Sequence, residues 1–138
     1  MQHVVTRNGS VFTDAERRYL SERRLGRIAT VGKDGTPHVA PVGWHYDPDQ
    51  DAIEVTGRNF AHSKKYRDVK RSGRAAIVID DLASVDPWKP RGIEIRGNAE
   101  VVDDPPRIRI RPQRIQAWRE ANELTGRELM RNGHWAIP

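Results

Sequence analysis

Ile93-Glu94-Ile95-Arg96-Gly97-Asn98-Ala99-Glu100-Val101 alternates apolar or small residues with polar ones without a break. A period of two belongs to a β-strand with one face in a core and the other in water, so this is the clearest strand in the chain. On its C-terminal side Ile108 and Ile110 alternate with arginines, and the phase slips near Pro112 before Ile115, Ala117 and Trp118. Proline donates nothing to a ladder, so the slip marks a bulge or an edge in a further strand. On the N-terminal side residues 75–79 (Ala-Ala-Ile-Val-Ile) are continuously apolar, which suits a strand covered on both faces.

Further back, residues 27–31 and 36–46 flank Gly32-Lys33-Asp34-Gly35. Asp-Gly supplies the positive φ of a tight turn, so the two segments read as a hairpin. A turn at 47–51 leads into a strand over 52–57. Thr13-Asp14-Ala15-Glu16 has capping-box spacing and predicts a helix to about Arg24, with Ala15, Tyr19 and Leu20 as its apolar face. Residues 61–71 read as a helix with Tyr66 and Val69 inward and the charges outward, and a further helical segment at 119–132 is interrupted by Gly126. The order is helix, three strands, helix, then three or four strands. Short turns favour antiparallel pairing. The expectation is a mainly β fold with peripheral helices: a small barrel of about six antiparallel strands in one domain over residues 1–138, ending in a tail at 119–138.

The chain has 138 residues, which supports a single core. Its lack of cysteine excludes disulfides, cysteine-ligated metal centres and thiol catalysis. The longest apolar run, residues 75–79, is far short of the roughly 20 residues of a membrane span. Met1-Gln2-His3-Val4 lacks the pattern of a secretory signal, so a cytoplasmic protein with no membrane association is expected. There are 24 Lys and Arg against 19 Asp and Glu, and hydrophobic residues make up 36%. The pI is near 10.0 and the mean hydropathy −0.78. A chain this lean and arginine-rich often completes its core by dimerising or holds a large anionic ligand, and its pI alone does not separate nucleic acid, a phosphate cofactor and solubility.

Residues 58–74 carry seven basic side chains and one acidic, Asp68. A strand ends at Thr56-Gly57, and a helix starts with Ser63, Lys64 and Lys65 in or beside its first turn. Cations oppose the positive end of the helix dipole, so lysines there make sense if an anion such as phosphate offsets the repulsion. The same charges also suit a solvated helix face. Histidines 3, 38, 45, 62 and 134 show no metal-ligand spacing, so no metal site is expected. Asp80, Asp81 and Asp86 read as a solvated loop. No nucleophile elbow, Walker loop or dinucleotide fingerprint occurs.

Several stretches together resemble the split-barrel family of pyridoxamine 5'-phosphate oxidase-like proteins. They are residues 27–31 with Asp34-Gly35-Thr36-Pro37-His38-Val39-Ala40-Pro41-Val42, then Ile53-Glu54-Val55-Thr56-Gly57, then Lys64-Lys65-Tyr66-Arg67-Asp68-Val69 and Ser72-Gly73-Arg74-Ala75-Ala76. Residues 91–101 match the family's long strand, and residues 108–118 are similar to the closing strand of members that use the deazaflavin coenzyme F420. The resemblance covers residues 13–118 in order.

It implies a split-barrel homodimer with cofactor grooves between protomers. Lys65 matches the lysine that holds the cofactor phosphate, with Lys64 and Ser63 beside it. His38, Val39, Pro41 and Val42 would line the ring and ribityl chain through their backbone, together with Thr56 and Gly57. Trp88 and Trp118 would wall the ring from the same or the partner protomer. The implied activity is hydride transfer from reduced F420 to an activated double bond of a small organic substrate. No residue stands out as the catalytic acid, and His38 and His45 are the available candidates. An FMN-dependent oxidase or flavin reductase of the same fold is the nearest alternative. A cofactor-storing barrel is another. A nucleic-acid-binding barrel is disfavoured, because only Phe60 and Tyr66 accompany the basic segment.

Overall fold

A strand whose alternate residues are apolar must bury one face, and short connections return it beside its neighbour. The computed structural model, which describes residues 9–118 and 124–128, carries that logic round to closure. The chain runs α1 (Asp14–Ser21), β1 (Leu25–Val31), β2 (Pro37–Asp47), β3 (Ala52–Thr56), a 3-10 turn (Phe60–His62), α2 (Lys64–Ser72), β4 (Arg74–Ser84), β5 (Lys89–Val102), β6 (Arg107–Trp118) and β7 (Leu124–Glu128). The strand order is β3-β2-β1-β4-β5-β6-β7, and β3 also pairs with β6 through Ile53↔Ile110 and Val55↔Ile108. Strands β1 to β6 thus close an antiparallel barrel through a short β3–β6 pairing, which leaves the C-terminal half of β6 as an edge. Its lumen is filled by Ile28, Ile53, Val55, Ile77, Ile79, Ile95, Ile108, Ile110 and Ile115, all essentially unexposed. Each such side chain stabilises by about 1.5–3 kcal/mol.

The phase slip near Pro112 is a bulge. Arg96 pairs with Arg114 but Gly97 pairs with Pro112, leaving Gln113 as the extra residue. A Cβ on Gly97 would lie 1.9 Å from the Arg111 carbonyl oxygen, so only glycine admits the approach. The capping box forms as read: Thr13 Oγ1 accepts the Glu16 N–H at 3.1 Å, and Glu16 accepts the Thr13 N–H at 2.9 Å.

Other expectations are corrected. Helix α1 stops at Ser21 rather than Arg24, and Ala15 is exposed while Glu16 is buried, because the capping box draws the Glu16 carboxylate inward. Residues 75–79 are not covered on both faces. Ala75, Ile77 and Ile79 fill the lumen while Ala76 and Val78 are half-buried on the outer surface, since a closed barrel has one inner face. Asp80 and Asp81 lie on β4 rather than in a loop, paired with Arg27 and Arg91. Within the segment read as helical over 119–132, Leu124–Glu128 is a strand bound to β6, whose free edge offers ladder partners. The other residues of that segment lie outside the described residues, as do His3 and His134. Among the described residues no helix is long and apolar enough to cross a membrane.

The helices sit at opposite ends of the barrel. Helix α2 packs where β1 ends: Thr30 donates to Asp68 at 2.9 Å, and Arg71 donates to the Val31 carbonyl. Helix α1 sits where β4 ends and β5 begins: Tyr19 donates to Asp81 at 2.8 Å and to the Arg91 carbonyl at 3.3 Å.

Candidate functional site

The chain leaves β3 at Thr56 and turns at Asn59, whose φ of 46° is left-handed, a conformation asparagine tolerates. The 3-10 turn follows, and Ser63 caps α2. Its Oγ accepts the Tyr66 N–H at 3.3 Å and donates to the Phe60 carbonyl at 2.6 Å. Its own N–H also donates to that carbonyl, at 3.0 Å. Ser63 is therefore engaged in forming the turn. The amides left without a helical acceptor in the first turn belong to Lys64 and Lys65.

Two clefts flank this helix start. One, of about 680 Å³, gathers His38 and Lys64 with Lys33, Asp34 and Thr36 of the β1–β2 hairpin. The His38 imidazole lies against Gly32, where a Cβ would come within 2.8 Å of Nε2. Hydrogen bonds from Thr36, the backbone N–H foremost, hold the Asp34 carboxyl below its ordinary value, and Lys64 adds a smaller pull. The other cleft, of about 460 Å³, gathers Thr56 and Gly57 with Asn59, Phe60, His62 and Pro105. Lys65 lies on that side, its Nζ 5.3 Å from the centroid of the Phe60 ring.

The helix is held from beneath by Asp68, which was read as outward but is 1% exposed. One oxygen accepts from Thr30, and the other lies 3.8 Å from Lys64 Nζ and 3.5 Å from Arg71. A buried carboxylate requires such partners. It also holds Lys64 near the first turn rather than leaving it to range through solvent.

The remaining sequence-predicted residues divide by strand face. Val39 and Pro41 point outward and are exposed, whereas the Val42 side chain is buried in the core, so only its backbone can face a ligand. His45 is also exposed on the outer face. Trp88 is 61% exposed in the β4–β5 connection, and Trp118 ends β6, paired with Gly92 and Leu124. Both lie at the α1 end of the barrel and line neither cleft at α2. Sequence reasoning missed Lys33, Asp34, Thr36 and Phe60 as site neighbours. Asp34 was legible as a turn residue, but nothing local brings that turn to α2.

Comparison with known proteins follows from this geometry. The family model described as pyridoxamine 5'-phosphate oxidase matches residues 12–132. The chain is 37% identical over 124 residues to the 5a,11a-dehydrotetracycline/5a,11a-dehydrooxytetracycline reductase of Streptomyces rimosus, covering 83% of this chain and 87% of that protein. It is 33% identical over 86 residues to the F420H(2)-dependent biliverdin reductase of Mycobacterium tuberculosis, covering 62% of this chain and 56% of that protein. A solved structure titled F420 Reductase superposes with a TM-score of 0.58 at 23% identity, covering 73% of this chain and 95% of that one, a likeness of fold.

Proposed function

Given that the chain belongs to the pyridoxamine 5'-phosphate oxidase family, we propose that it is an oxidoreductase that uses the deazaflavin coenzyme F420 to reduce an activated double bond of a small conjugated substrate. Both curated relatives are named as reductases, and one is named as F420H(2)-dependent, which supports this choice over an FMN oxidase.

The observation that carries the reading is the start of α2. Two lysines stand in its first turn, against the dipole, where the first-turn amides also point outward. A phosphate there would accept from the amides of Lys64 and Lys65 and from their ammonium groups. The amides and ammonium groups fit an anion, and among the described residues Asp34 is the one carboxylate that lines the two clefts. When bound, reduced F420 supplies a hydride from C5. The chain's own work is to hold the phosphate at Lys64 and Lys65, to line the ring with the β2 backbone from His38 to Val42, and to exclude water. The basic surplus of residues 58–74 would draw in the polyanionic tail. Solvent is the simplest proton source for the product, with His38 the side-chain candidate at the first cleft.

A homodimer is part of the proposal. The outer faces of β1 and β2 expose Leu25 at 55%, Val31 at 47% and Val39 at 73%, with Ala29 paired to Val39 and Val31 paired to Pro37. Ala29, Val31, Pro37 and Val39 make an apolar patch, bounded by Arg27 on the same face of β1, and such a patch suits an isologous contact between copies. Such a contact would complete a groove beside Pro41 and Thr56, and light scattering should return a mass near twice 15.8 kDa. A monomer mass at micromolar concentration would remove this part of the reading.

The test is fluorescence titration with oxidised F420 and, in parallel, FMN. Tighter F420 binding is expected. Lys65→Ala should weaken it roughly 10- to 150-fold, the equivalent of about 1.5–3 kcal/mol for a charged hydrogen bond. Lys70→Ala, one turn further along an exposed face, should change it far less. Equal or tighter binding of FMN overturns the cofactor assignment, and wild-type affinity in Lys65→Ala moves the phosphate elsewhere.

A further inference from the structure

At the α1 end, a cleft of about 760 Å³ lies between the helix and β2. Its walls include Arg17, Arg18, Arg23, Arg24, Trp44 and Tyr46, with Asp14 as the one carboxylate. We propose that this cleft binds a planar conjugated organic anion, a carboxylate carried on an aromatic or polyene frame. The site is separate from Lys64 and Lys65, and the proposal stands whether or not the cofactor there is F420.

The first support is how the arginines are paired. On the barrel strands Arg27 meets Asp80, Arg91 meets Asp81, Arg96 meets Glu94, and Arg107 and Arg109 both meet Glu54. Around the cleft Arg23 reaches Asp81 at 3.1 Å, but Arg17, Arg18 and Arg24 meet no carboxylate among the described residues. Unpaired arginines on an exposed helix would by themselves be an ordinary solvated face.

The second support is independent of charge. Trp44 Nε1 and Arg23 Nε, on two residues of this cleft, are shielded from water and have no acceptor among the described residues. Buried donors nearly always find a partner, and an oxygen carried in by a ligand would supply one as the flexible arginines of the rim move aside. Trp44 itself has little freedom to turn away. Its Cδ1 would be 3.1 Å from a Cβ on Gly26, so the indole rests on the β1 backbone.

The shape of the walls selects the ligand. The Arg23 guanidinium lies 4.1 Å from the Tyr19 ring centroid, and that of Arg17 lies 5.5 Å from the Tyr46 centroid. A guanidinium over a ring keeps its N–H edge for a carboxylate; Arg23 already gives its Nη groups to the Glu22 carbonyl and Asp81, so its Nε and the Arg17 edge are what a ligand would meet. The volume is within the range of small-molecule pockets. A neutral apolar ligand would leave the guanidiniums unsatisfied.

The probe is naphthalene-2-carboxylate, followed through the indole N–H signals of the ¹⁵N-labelled protein. The Trp44 signal is identified as the one lost in Trp44→Phe. Naphthoate should shift it saturably, naphthalene-2-methanol should bind at least about tenfold more weakly, and the double variant Arg17→Ala/Arg24→Ala should lose about tenfold in naphthoate affinity. Lys65→Ala should bind naphthoate as wild type does. An unmoved Trp44 signal, equal binding of the alcohol, or full affinity in the double variant would overturn the proposal. Loss of binding in Lys65→Ala would also do so, by placing the anion at α2. The comparison of acid with alcohol uses the wild-type protein and does not depend on any variant folding. Failure of F420 to bind, with naphthoate still bound at Trp44, would sink the cofactor reading alone.

Discussion

Each helix is tied to the barrel by one aspartate, and the two ties are built in opposite ways. At α2 the aspartate is on the helix: Asp68 is 1% exposed, accepts from Thr30 of β1 and faces Lys64 and Arg71. At α1 the aspartate is on the strand: Asp81 of β4 is 32% exposed and accepts from Tyr19, Arg23 and Arg91. The first tie sets a helix start whose charges are held in place. The second anchors one end of a helix and leaves Arg17, Arg18 and Arg24 to face a cleft. Burial, more than the number of partners, decides how much each tie contributes, since solvent screens the second.

The largest effect should come from Asp68→Ala. It strips a buried hydroxyl of its acceptor and leaves Lys64 and Arg71 without their shared carboxylate, so urea unfolding should show a loss of about 3 kcal/mol. A loss below about 1 kcal/mol would mean that α2 is held by Tyr66 and Val69 alone.

A smaller effect is expected at the other end. Hydrogen bonds from Arg91, aided by Tyr19 and the charge of Arg23, hold the Asp81 carboxyl down at about 2 against the ordinary 3.8. A depressed carboxylate contributes stability that is present above its unfolded value and lost as pH falls through its folded one, here between about 4 and 2. Screening at a residue one-third exposed limits this to about 1 kcal/mol. Asp81→Asn should therefore lower stability by that amount at pH 7 and flatten the acid limb of the stability curve between pH 4 and 2. An unchanged acid limb would show that Asp81 does not tie α1. Burial, and then the bond to Asp81, push the Tyr19 hydroxyl up to about 12, so it remains a donor throughout this range. Arg18→Ala, with no ion pair to lose among the described residues, should stay within about 0.5 kcal/mol and marks the bottom of the comparison.

Much of this was legible locally. Residues 93–101 declare a strand because alternation is a property of consecutive side chains, and Thr13 with Glu16 declares a helix start because a capping box joins residues three positions apart in one turn. Tyr66 and Val69 were rightly read as inward from helical spacing. The phase slip at Pro112 announced its bulge, although the need for Gly97 opposite it did not show. At the candidate site the lysines of α2 were visible as a local conflict between charge and dipole. Their neighbours were not.

By itself the sequence determined the six barrel strands, their order with the two helices and the end of α2 that carries the lysines, because dihedral preference and face periodicity act over a few residues; it misread residues 124–128, whose strand exists only against β6. Only the tertiary structure decided that β3 closes on β6, that Glu54 is buried under Arg107 and Arg109, and that Lys33 and Asp34 stand beside Lys64. Each joins residues tens of positions apart, where the cost of closing the loop is met by the whole barrel rather than by any local pattern. The same reason explains Asp68. A charged residue on a charged helix reads as solvated until the strand it packs against, with Thr30 ready to donate, is known to lie beneath it.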